Sequence, residues 1–381
     1  MARFRYMEFP LQNGSITTKT ALGPPVIKVN EDYFLQWQCS DDTGRKTDHP
    51  CEIEKVRYDI VPLMGANPDV PPGAIQQYSS WQPPPYRSKP SHVPGLGLPG
   101  ALTRITQIQA RTNPTRPVVS LPILLYELKD LPGMIRDIGR AKILLQGGKG
   151  KHPKLQYGAS QYLAAQFGWV PLFSDLAKLL QFTEETDRRV GELRRIYKRG
   201  GLKRRVDLGV YSAIGDTTNI VADSTFFPSV RANRTTRTTV HDWGTVRWRP
   251  AVGTRLPRSE DELRRVAKSL VLGFHGGAAN IWEAIPWSWL IDWCTNVGDY
   301  LQATNNAQLW RATRINFMRH ELSQRTYTRT QGPPWAGGGS AIVTLETKNR
   351  YTGSASLTAT LPFLSGRQLS ILGALAIQRL R

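Results

Sequence analysis

Residues 280–301 read NIWEAIPWSWLIDWCTNVGDYL. Trp282, Ile285, Trp289, Trp293, Val297 and Tyr300 recur at spacings of three and four, which is one face of an α-helix. Each buried Trp removes roughly 200 Å² from water, so this face must lie against other elements. Pro286 interrupts the pattern and predicts a kink or a restart. Ser288, Asp292, Asn296 and Asp299 fall off the stripe. The stretch reads as the core helix of a helical layer, with an aromatic platform for a stacked ligand as the alternative.

Just upstream, Ser259 and Glu262 form an S-x-x-E capping box before the stripe Leu263, Val266, Leu270 and Phe274. Gly276-Gly277 separates the two helices. After residue 305 the pattern turns to strands: 315–329, 341–345 and 351–361, broken by a Gly/Pro loop at 332–339 and followed by a last helix after Pro362. Further upstream, 206–210, 219–222, 234–241 and 244–248 read as short strands, with Asp242-Trp243-Gly244 as a turn candidate. A helical stretch covers 155–182 and becomes charged up to Gly200-Gly201, a plausible stop. Another apolar stripe begins near Leu124.

The N-terminal part looks β-rich, with strands at 26–29, 33–37 and 55–61. Residues 62–99 are crowded with proline, which argues against helix or central strand. Tyr78, Trp81 and Tyr86 are interleaved there. They either pin the segment to a sheet or present a contact surface, and they are the candidate receptor-binding residues. Gly95-Leu96-Gly97-Leu98-Pro99-Gly100 matches G-x-G-x-x-G, but with no strand before it and no helix start after it the match reads as a turn.

The segments divide as 1–118 β-rich, 119–200 helical, 201–257 β, 258–306 helical, 307–361 β and 362–381 a C-terminal helix. That is not the beat of a doubly wound sheet. The expected class is α+β: an elongated two-part body, an α-helical bundle joined to an antiparallel β-sheet region, with segments interleaved in sequence.

Charge narrows the function. Fifty Lys and Arg stand against 30 Asp and Glu, a net +20 over 381 residues. Such an excess points to a polyanion, most simply nucleic acid, with an anionic membrane surface as the weaker alternative. Three cysteines, Cys39, Cys51 and Cys294, contain no C-x-x-C pair, which excludes a zinc ribbon. Whether Cys39 and Cys51 pair is open. The start lacks a secretory h-region and no run is long and apolar enough to span a bilayer, so synthesis and assembly in the cytoplasm are expected. No H-E-x-x-H, G-x-S-x-G or phosphate-binding loop is present, and the six histidines are scattered. No enzyme, metal or cofactor is expected.

The strongest functional signal is the basic run from 188 to 205: Arg188, Arg189, Arg194, Arg195, Lys198, Arg199, Lys203, Arg204 and Arg205. Arg264, Arg265 and Lys268 add to it from the next helix. Arginine grips phosphate through two hydrogen bonds and stacks on unpaired bases, both of which structured RNA offers. These twelve are the candidate RNA-binding residues.

QFGWVPLFSDL at 166–176 and IWEAIPWSWLIDWCTNVGDYLQA at 281–303 resemble motifs of the maturation proteins, or A proteins, of single-stranded RNA bacteriophages. The second supplies Trp282, Glu283, Pro286, Trp287, Ser288, Trp289, Asp292, Trp293, Val297, Gly298 and Leu301 of the family pattern, and LGALAIQRLR resembles the family's ending. Phe167, Trp169, Pro171, Trp282, Pro286, Trp289, Asp292 and Trp293 carry over as packing positions. The resemblance implies a single-copy virion component that binds the genomic RNA near its 3′ end, replaces part of the shell of coat protein dimers and attaches the particle to a bacterial pilus. It further implies entry into the cell with the RNA, a helical region facing RNA and a β region facing the pilus.

Overall fold

The computed structural model describes residues 2–10, 13–30, 33–42, 48–91, 93–116, 118, 181–198, 200–254, 257–272 and 310–353. Eleven strands are present among them: β1 (Ala2–Pro10), β2 (Ser15–Lys19), β3 (Val26–Val29), β4 (Tyr33–Asp42), β5 (Cys51–Val61), β6 (Leu63–Ala66), β7 (Ile75–Trp81), β8 (Leu202–Asp223), β9 (Val230–Pro250), β10 (Trp310–Gln331) and β11 (Ser340–Gly353). Three α-helices accompany them: α1 (Ala101–Thr112), α2 (Phe182–Lys198) and α3 (Glu260–Val271). Seven strands form one sheet in the order β1-β4-β5-β11-β10-β9-β8, and four form another in the order β3-β2-β7-β6. The pairs β1–β4, β4–β5 and β5–β11 are antiparallel, as are all three pairs of the small sheet.

The chain divides into two compact units. Unit 1 comprises 1–98, 207–244 and 316–352; unit 2 comprises 99–206, 245–315 and 353–381. The core of unit 1 is filled from both sheets. Ile16, Leu63 and Tyr78 of the small sheet share a buried cluster with Val56, Ala232, Tyr327 and Val343 of the large one. Along β9 the buried side chains fall on alternate residues, as a pleated strand with one covered face requires.

In unit 2, α1 and α2 cover one face of the strand ends. Trp248 is fully buried and its Nε1 donates to Thr112 Oγ1 at 3.2 Å, tying β9 to the end of α1. Tyr197 of α2 packs against Trp310 of β10 with ring centroids 5.3 Å apart. Burial of the Tyr197 hydroxyl pushes its pKa up to about 12. The capping box of α3 forms as the sequence expects, with Glu262 N–H donating to Ser259 Oγ at 3.2 Å.

Several expectations change. An α+β composition stands, but the described residues are mostly strand, and their three helices do not make a helical bundle. Strand-borne Trp248 and Trp310 seat α1 and α2 on the sheet, and the other segments from which the bundle was expected, 119–180, 273–306 and 362–381, lie outside the described residues. The short strands expected between 206 and 248 are two long ones. Asp242-Trp243-Gly244 runs straight through β9, because the buried Asp242 carboxylate takes two hydrogen bonds from Arg319 of β10, at 2.8 and 2.9 Å. A carboxylate matched in this way need not seek a turn.

β7 lies in the proline-rich segment yet is a central strand of its sheet, since 75–81 itself holds no proline. A helix, α1, does follow Gly100. The G-x-G-x-x-G match is still no dinucleotide site, since no strand runs into it: β7 ends at Trp81 and a 3-10 turn follows at Pro84–Arg87. Cys39 and Cys51 are both free thiols.

Candidate nucleic-acid interface

α2 has acid in its first turn, at Glu184 and Glu185, and base towards its end, the order its dipole favours. Val190, Leu193 and Ile196 are buried at spacings of three. Arg189 falls on this same buried face and is 7% exposed. Its Nη1 donates to the Pro114 carbonyl and its Nη2 to the Arg116 carbonyl, each at 2.9 Å, and Nη1 also reaches Glu192 at 3.1 Å. Burial lowers its pKa below the ordinary arginine value.

Arg204 does similar work from β8. Its Nη1 donates to the carbonyls of Thr112 and Asn113 at 2.8 and 3.0 Å, and its Nη2 pairs with Glu192. The carbonyls that α1 leaves unpaired at its end, and those just beyond, are thus taken by two guanidinium groups. Arg189 and Arg204 belong to the frame of unit 2, so their side chains are not offered to a partner.

Replacing Arg189 by Met removes these bonds and keeps the volume. The cost is expected to be about 2–3 kcal/mol. Arg195→Ala, at an exposed position of the same helix, is expected to shift stability by less than about 0.5 kcal/mol. Urea unfolding of the two variants measures the difference, and equal midpoints would contradict the assignment.

The other helix-borne cations are at the surface, where acids meet several of them. Arg194 pairs with Glu260 of α3, Arg264 pairs with Asp187 of α2 at 2.9 Å, and Arg188 lies 3.5 Å from Glu185. These are exposed pairs and are worth little to stability. Their effect is on the field. α2 carries five cations and four acids, and α3 three of each, so the two helices together have a net charge near zero. The cations are legible in the sequence, whereas the partners that α3 supplies to α2 emerge only from the fold.

Arg195, Arg265 and Lys268 are exposed, as are Lys203 and Arg205 on β8. The side chain of Lys198, and Arg199 as a whole, lie outside the described residues.

The three aromatic residues expected at a receptor surface are interior. Tyr78, Trp81 and Tyr86 are 2%, 7% and 0% exposed. Trp81 Nε1 and the Tyr78 hydroxyl donate to Asp223 at 2.7 and 3.2 Å, and the Tyr86 hydroxyl donates to the Gly339 carbonyl at 2.8 Å. Each ring has a polar handle that finds a buried acceptor, so all three serve the core of unit 1 and are withdrawn as receptor contacts. The packing positions Phe167, Trp169, Pro171, Trp282, Pro286, Trp289, Asp292 and Trp293 lie outside the described residues. Among the described residues no three His, Cys, Asp or Glu side chains gather as metal ligands, and no helix is long and apolar enough to cross a membrane.

A protein-family model described as phage maturation protein matches residues 133–315, a span that contains α2, β8, β9, α3 and both sequence motifs quoted above. No curated protein matches the chain.

Proposed function

We propose, for a chain that belongs to the phage maturation proteins, that it is the virion component that holds the genomic RNA through unit 2 and reaches a bacterial pilus through unit 1. A maturation protein is a component of the virus particle. In this reading one copy sits among the coat protein dimers, grips the RNA near its 3′ end and accompanies it into the cell. The family match carries the reading. The net charge of +20 supports its RNA half, since neutralised phosphates release counterions and favour binding. The β-rich unit 1 supports the pilus half only as the part of the chain left for an external partner.

The test is made on particles. Mass spectrometry of purified virions is expected to find this chain at one copy per shell. Particles assembled without it are expected to lose adsorption to piliated cells and to leave their RNA open to nuclease. Full adsorption and full protection without the chain would overturn the proposal, and many copies per shell would make it a coat protein instead.

A further inference from the structure

The RNA-holding reading leaves open which face of unit 2 meets the phosphates, and the charge distribution favours the sheet over the helices. The strand segments that unit 2 contributes are 202–206, 245–250 and 310–315. They carry seven Lys and Arg and no Asp or Glu. Of the seven, Arg204 points into the frame described above, and Arg314 sits at a left-handed backbone position, φ 51°, that interrupts the strand's alternation.

The alternation of the strands separates two faces. Leu202, Arg204, Val246, Trp248 and Trp310 face α1 and α2. Lys203, Arg205, Arg247, Arg249 and Arg311 occupy the intervening positions, with Lys203, Arg205 and Arg311 exposed and Arg247 and Arg249 half-buried.

Their proximity is fixed by close contacts. A Cβ at Gly201 would lie 3.1 Å from Cγ of both Arg247 and Arg249, so both side-chain stems flank the start of β8. Arg249 Nε donates to the Gly200 carbonyl at 3.1 Å, which holds the guanidinium in place. Thr313 Oγ1 donates to the Arg247 carbonyl at 2.8 Å and sets β10 beside β9 at that level. Neighbouring strands stand about 4.8 Å apart and alternate residues advance roughly 6.7 Å. Five cations therefore share a patch about as wide as three strands. Like charges at this spacing repel across a sheet, and an arriving polyanion relieves that repulsion.

We propose that the phosphate backbone of the genomic RNA lies over this strand face of unit 2, with Lys203, Arg205, Arg247, Arg249 and Arg311 as its contacts. The α2–α3 surface contributes little because acids pair with Arg188, Arg194 and Arg264 and nearly match the cations of the two helices in number. This rests on the reading of the chain as the RNA-holding component.

The experiment uses the full chain and a fluorescent RNA hairpin, with affinity measured over a range of salt. One variant replaces the five strand cations by Gln. A second replaces Arg188, Arg195, Arg265 and Lys268 by Gln, and both are checked for an unchanged melting temperature. The strand variant is expected to lower the slope of log affinity against log salt by about 3.5–4.5, at roughly 0.7–0.9 per lost contact, and the helix variant by less than about 1.

If the helix variant loses the larger share, or the two lose equally, the face is wrong and the RNA reading stands. If the unaltered chain shows no salt-dependent RNA binding, or binds polyglutamate as tightly, the RNA reading falls with it. Arg311→Gln alone is a milder probe should the fivefold variant fail to fold. It is expected to lower the slope by about 0.7–0.9, and an unchanged slope would remove Arg311 from the contacts and overturn the patch as drawn.

Discussion

Asp223→Ala is expected to destabilise unit 1 by about 3–5 kcal/mol, because it strands several buried donors at once. The carboxylate, 7% exposed, accepts from Trp81 Nε1 at 2.7 Å, from the Tyr78 hydroxyl at 3.2 Å and from the Thr225 N–H at 2.8 Å. Burial, and then Asp223 itself, hold the Tyr78 hydroxyl well above its ordinary range, so at neutral pH it stays a donor. The Tyr78 ring sits against Phe226 and Trp335, with centroids 4.9 and 5.6 Å away, and those two rings touch each other. The acid therefore anchors an aromatic trio as well as accepting three hydrogen bonds. Thermal melting should fall by about 6–20 °C if each kcal/mol is worth roughly 2–4 °C. Tyr78→Phe, which removes one donor and keeps the ring, is expected to cost only about 1 kcal/mol. An Asp223→Ala protein that melts within 2 °C of the parent would refute this account of the core, by the roughly 2–4 °C per kcal/mol just used.

Trp248→Ala is expected to cost unit 2 about 3–5 kcal/mol, the range for emptying a buried aromatic site. Trp248 is completely buried and gives its only donor to Thr112 Oγ1. Its loss leaves a void under α1, whose other side is also covered: Ile105, Ile108 and Ala110 are buried, as are the polar Thr103, Thr106 and Gln109. Trp248→Phe should recover more than half of the loss, because it refills most of the volume and forgoes one hydrogen bond. Urea denaturation followed by near-UV circular dichroism reads this. A chain of two units can unfold in more than one step, so the transition that moves should be the one that α1 reports. An unmoved transition in Trp248→Ala would show that β9 and α1 are not held together here.

The strands β3, β4 and β5 were legible because each combines β-branched or aromatic residues with a short alternating run. The α3 start was legible because its capping box is a local device. α1 was not, since ALTRITQIQART offers only the short apolar row Leu102, Ile105 and Ile108 and buries Thr, Arg and Gln beside it. Its surroundings decide its state. The full length of β9 was hidden for the same reason: Asp242, which reads as an interruption, is matched by Arg319 of a strand distant in sequence.

At the candidate interface the arginines were obvious and their roles were not. Arg189 and Arg195 look alike in the sequence. One is buried on backbone carbonyls and the other is at the surface, and only the position of residues 112–116 distinguishes them. Arg247, Arg249 and Arg311 were overlooked because they are scattered along the chain and meet only when the strands pair.

The β5–β11 register joins Val61 to Ser340 and Cys51 to Arg350. The ribosome delivers the second strand roughly 15–60 s after the first, at about 5–20 residues per second over roughly 290 residues. Throughout that interval one edge of β5 has no neighbour, and nascent chains on the same messenger each present an identical open edge. Premature termination anywhere before residue 340 makes the exposure permanent. Shortened products should therefore accumulate as insoluble material, and slowing initiation or cooling the culture should raise the yield of full-length protein by keeping unfinished chains apart.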